Sequence, residues 1–163
     1  MKGSRPVPCA LLIGLAIATQ ISLGSLVGGG VDAVDIPLLL LLWFSLVDRF
    51  GRVLAVGVAI GGTRLLWGVS PPIEVFAPLA TGVLWIRFAR NGVDPRDPGR
   101  RIALVTLALA LAGFTHRFLW SVPWSGSVDA WAEGLLIGTL SAILLFPILD
   151  QTVPFVRSAT HPM

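Results

Sequence analysis

Arg87-Phe-Ala-Arg90-Asn-Gly-Val-Asp94-Pro-Arg96-Asp97-Pro-Gly-Arg100-Arg101 is the stretch on which the fold turns. It carries five of the chain's 11 arginines and two prolines, and it holds no apolar run. Long apolar segments flank it on both sides. Short loops rich in Lys and Arg are retained on the cytoplasmic side of a bilayer. The stretch therefore predicts a central cytoplasmic loop over 87–101, and it sets the side of every other loop.

Composition leads to the same class. Of 163 residues, 55% are hydrophobic and 13% charged, with a mean hydropathy of +0.83. A soluble domain carries roughly 25% charged residues. The apolar excess must face lipid. Net charge is +3 and the pI about 10.4, with the basic residues lying between apolar runs. This pattern points to topology and anionic headgroups, not to nucleic acid. One cysteine, Cys9, excludes an internal disulfide and a CxxC motif.

The apolar runs predict an all-α, polytopic integral membrane protein forming a single transmembrane domain. Six transmembrane helices are expected at about 8–28, 36–47, 53–69, 75–86, 102–122 and 130–149, arranged as three hairpins. The first run also has elements of a signal peptide, since Lys2 and Arg5 precede its apolar core; it continues past any cleavage position, which favours a span. The second is short. It opens at Pro37 and is followed by an inner loop with Asp48, Arg49 and Arg52. With both termini inside, the inner segments hold Lys2, Arg5, Arg49, Arg52, Arg157 and the five arginines of the central stretch. Only Arg64 and Arg117 lie toward the outside, with Asp32, Asp35, Glu74, Asp129 and Glu133. The expected location is a bacterial cytoplasmic (inner) membrane, crossed several times.

Two constellations stand out within the spans. Gly57 and Gly61 form a GxxxG pattern, with Gly62 adjacent, suited to close helix packing. Arg64, His116, Arg117 and Glu133 fall at overlapping depths and are expected to form an outer polar cluster, with Arg64 paired to Glu133. Snorkelling of the arginines to interfacial water is the competing arrangement. Arg64-Leu-Leu-Trp67 also echoes Arg117-Phe-Leu-Trp120, which suggests repeated hairpins. No HExxH, GxSxG or P-loop pattern occurs, so neither catalysis nor a cofactor or metal is expected.

Several of these features together resemble the rod shape-determining MreD family. They are Ile36-Pro37 opening a leucine run to Trp43, then Arg49 and Gly51, then Gly57, Gly61 and Gly62, and the turn Gly68-Val-Ser-Pro71. The resemblance covers residues 10 to 150 by layout and 36 to 71 by motif. The family usually places an acid after the glycines of the third span, where this chain has Arg64. The resemblance implies a non-enzymatic scaffold of the cell-wall elongation machinery. Its implied partners are membrane lipids, an MreC-like membrane-anchored protein and other elongation-complex proteins. The layout also looks like the substrate-binding S-components of energy-coupling-factor vitamin transporters, the alternative reading.

Overall fold

The computed structural model describes residues 14, 18, 35–67, 71–92, 97–120 and 127–152, and all regular structure among them is helical. Five α-helices follow in order: α1 Ile36–Val47, α2 Phe50–Trp67, α3 Pro72–Ala89, α4 Pro98–Trp120 and α5 Ser127–Thr152. A single 3-10 turn, Arg90–Gly92, follows α3. The expected first span, 8–28, lies outside the described residues except for helical positions 14 and 18.

The shortest helix is the centre. In α1 every residue from Pro37 to Leu46 is buried, and Leu41, Leu42, Trp43 and Phe44 are completely so. A helix that is apolar all round belongs inside a larger assembly of apolar side chains. At 12 residues it is about 18 Å long, well short of a bilayer core. This segment is the core of the bundle, and its ends meet protein groups.

The other helices wrap it. Val53, Val56 and Ile60 of α2, Leu79 and Ile86 of α3, Val105, Ala108 and Ala112 of α4, and Ala142 and Phe146 of α5 complete the core. The most extensive interface joins α3 to α4. It closes on Gly82, where an added Cβ would lie 3.0 Å from Leu42 of α1 and 3.7 Å from the Ala108 carbonyl. Threonine hydroxyls link neighbouring helices: Thr81 with Thr115 at 3.3 Å, and Thr106 with Thr139 at 3.2 Å. Hydroxyl contacts of this kind are common between helices in apolar surroundings.

Two helical segments, Pro72–Gly92 and Trp131–Gln151, are long and apolar enough to cross a membrane. Among the described residues the other expected spans do not reach that measure, and most of the first lies outside those residues. One reason is that α1 is too short. The charged residues of α2 and α4 lie toward the helix ends, Arg52 and Arg64 in the first and Arg100, Arg101 and Arg117 in the second. Helix ends also differ from the sequence reading. The α3 helix continues past Ile86 through Arg87, and α4 already starts at Pro98, so most of the expected 87–101 loop is helix end. Asp97 explains the early start. Its Oδ1 accepts from the Gly99 N–H at 2.9 Å and the Arg100 N–H at 3.3 Å, and Pro98 needs no N–H at the first helical position. Pro78 and Pro147 sit inside α3 and α5, where the sequence reading marked no interruption.

Candidate functional site

A buried helix must satisfy the N–H and C=O groups left open at its two ends. The polar residues described here are arranged around that need. At the start of α1, Asp35 is the N-cap and its Oδ1 accepts from the Leu38 N–H at 2.8 Å. The same carboxylate forms an ion pair with Arg64, which reaches over from the last turn of α2. A negative charge there also complements the positive end of the helix dipole.

The other end of α1 is held by cations. Arg87 of α3 donates from Nη2 to the Asp48 carbonyl at 2.7 Å. Arg90 donates from Nη1 to the Ser45 and Asp48 carbonyls, both at 3.4 Å. Arginine at a helix C-terminus supplies donors to the open carbonyls and favours the negative end of the dipole. The Asp48 side chain, 7% exposed, pairs with Arg52 at 3.2 Å and accepts from the Arg49 N–H at 2.7 Å. The Arg87 guanidinium also lies 5.7 Å from the centre of the Phe50 ring.

A third group ties α5 to both α1 and α4. Asp150 accepts from Arg101 at 2.6 and 3.2 Å, a two-pronged contact, and from the Trp43 indole Nε1–H at 2.9 Å. A fully buried indole needs an acceptor for its N–H. Here the acceptor lies 107 positions away in the chain. Arg101 also stacks 5.8 Å above Phe146.

These contacts bring together the C-terminal ends of α1, α3 and α5 and the N-terminal ends of α2 and α4. Arg49, Arg52, Arg87, Arg90, Arg100 and Arg101 thus share one end of the bundle. Asp35, Arg64, Glu74, His116 and Glu133 lie toward the other.

The expected outer cluster is not assembled as read. Arg64 pairs with Asp35, and no ion pair joins it to Glu133 among the described residues. Glu133 and His116 are exposed on α5 and α4, and the Arg117 side chain lies outside the described residues. The reason is proximity: Asp35 precedes α1 directly beneath the end of α2, so it offers Arg64 a carboxylate without burying a second charge. The three glycines fall in different surroundings. A Cβ at Gly61 would collide with the Phe76 ring, whereas at Gly57 it would make ordinary contact with Leu41 at 3.6 Å. At Gly62 it would meet nothing within 4 Å.

Sequence reasoning missed Asp35 as a cap, and it missed the Trp43–Asp150–Arg101 link. A usable signal was present in each. Asp35-Ile-Pro37 has the form of a capped helix start, and a tryptophan inside a leucine run demands a polar partner. Comparisons with protein-family models, curated proteins and solved structures find no match to this chain.

Proposed function

We propose that this chain is a multi-pass protein of a bacterial cytoplasmic membrane, with its arginine-bearing end in the cytoplasm. In this reading it acts as a non-enzymatic, MreD-like scaffold of the cell-shape and cell-wall elongation machinery, and it binds an MreC-like membrane-anchored protein through its helices. The observation that carries the membrane part is the surface. Leu54, Val58, Leu84, Leu107, Leu140 and Leu144 are all large, apolar and exposed, on four different helices. An apolar exterior of that extent suits lipid or partner helices. The scaffold part is supported by the use made of the charges. Asp35, Asp48, Asp97 and Asp150 are each engaged in closing or joining helix ends. The outer helix faces are thereby left as the surface on which a partner would act.

The test is affinity purification of the tagged chain from its native membrane after mild crosslinking, paired with thermal-shift screening against vitamins in detergent. Recovery of an MreC-like membrane-anchored protein is the expected result. Recovery of transporter energising subunits together with stabilisation by a vitamin would overturn the scaffold reading in favour of an S-component.

A further inference from the structure

Four arginines gather around Asp48 at the C-terminal end of α1: Arg52 meets its carboxylate, Arg87 and Arg90 its carbonyl, and Arg49 follows it in the chain. Arg49 and Arg52 come from the start of α2, Arg87 and Arg90 from the end of α3, and Asp48 is the only acid in contact with them among the described residues. Asp48 is committed to Arg52, while Arg87 and Arg90 are held by neutral carbonyls. Arg49 is exposed and makes no ion pair among the described residues. The Arg87 Nε–H is buried without an acceptor. This group keeps a surplus of three positive charges.

Two of these arginines are each followed directly by an exposed phenyl ring. Phe50, after Arg49, is 51% exposed, and Phe88, after Arg87, is 82% exposed. The cations and the rings come from two adjacent helices at the same end of the bundle. Guanidinium groups match phosphate oxygens in geometry and charge. Exposed phenyl rings give nothing to a free phosphate, but they fit the first carbons of an acyl chain.

We propose that this end of the bundle, built on Arg49, Arg52, Arg87 and Arg90 with Phe50 and Phe88, is a binding site for the headgroup of an anionic phospholipid in the cytoplasmic leaflet. The proposal rests on the membrane reading above, and it does not depend on the scaffold reading. The phosphate lies against the exposed Arg49 and accepts from its guanidinium, while the two rings lie against the acyl chains. Basic groups between helices on this side of a membrane commonly hold anionic headgroups. The bound lipid would balance the surplus charge that Asp48 leaves.

The experiment measures thermal unfolding of the purified chain in a neutral detergent. Dioctanoyl phosphatidylglycerol, dioctanoyl phosphatidylcholine or inorganic phosphate is added in separate titrations. Phosphatidylglycerol should raise the unfolding temperature and the other two should not. Its half-saturating concentration should rise about fivefold in Arg49→Gln, the factor expected for one basic side chain near a lipid phosphate. Arg49 is exposed, so this variant folds. Phe88→Ser should also weaken the response, whereas Arg100→Gln, which removes a cation paired with Asp97, should leave it unchanged. An equal effect of inorganic phosphate would overturn the lipid assignment. So would an unchanged response in Arg49→Gln, or an equal loss in Arg100→Gln. Recovery of the chain in the soluble fraction without detergent would instead remove the membrane reading itself.

Discussion

The two ends of α1 face the same physical problem and meet it differently. At the N-terminal end one carboxylate, Asp35, does two tasks, capping Leu38 and pairing with Arg64. Both partners of that pair remain about a third exposed, at 34% and 30%. At the C-terminal end the carboxylate of Asp48 is nearly covered and three arginines from two helices converge on it and its carbonyl. The first closure combines a local cap with a partly wet ion pair between residues 29 positions apart. In the second the carboxylate is covered, its partner Arg52 lies four residues on and is 45% exposed, and tertiary contacts hold the carbonyls. Exposed ion pairs contribute little to stability, while breaking a buried one is costly because a charge is stranded. The C-terminal closure should therefore be the one on which the bundle depends.

Arg52→Ala sharpens this comparison most. It strands the nearly covered Asp48 carboxylate and should cost about 3 kcal/mol, at the lower end for a broken buried pair because the Arg49 N–H still donates to that carboxylate. Unfolding titration with a denaturing detergent would measure it. A loss no larger than that of an Asp35 variant would break the contrast between the ends.

Gly82→Leu asks whether the middle of α1 is held as firmly as its C-terminal end. The new side chain would meet Leu42 and the backbone of Ala108. Overpacking at such a site costs about 2 kcal/mol. The same titration should show the loss, and a wild-type profile would mean that α3 and α4 separate easily around α1.

The N-terminal end should respond more weakly. Asp35→Ala removes a cap and an exposed pair together, for a loss of about 1.5 kcal/mol. Asp35→Asn keeps the cap and should lose less than about 0.5 kcal/mol. Similar losses in both would show that the Arg64 pair, and not the cap, closes this end. Smallest of all is Gly57→Ala, where ordinary contact with Leu41 leaves room for a methyl group. The gain in helix propensity, up to about 0.8 kcal/mol, should make this variant neutral or slightly more stable. A clear loss would mean that α2 lies tighter on α1 than its contact distance implies.

By itself, the sequence determined the helical class, the excess of apolar surface and the start of α1. Pro37 marks that start, because a fixed φ acts within a residue or two; the apolar runs alone set the other four starts at 53, 75, 102 and 130, where the helices begin at 50, 72, 98 and 127. The sequence also separated most of the arginines from most of the acids, since that division follows the order of the apolar runs. Only the tertiary structure decided that α1 is the core. An unbroken leucine run shows no face, so it reads alike whether lipid or protein surrounds it. Tertiary structure likewise chose Asp35 over Glu133 for Arg64, and it gave Asp150 to Trp43 and Arg101. Depth along a span limits which charges can meet. Which of them do meet depends on how the helices lie side by side, and that is set by the packing of side chains far apart in the chain, as at Gly61 against Phe76 and Gly82 against Leu42.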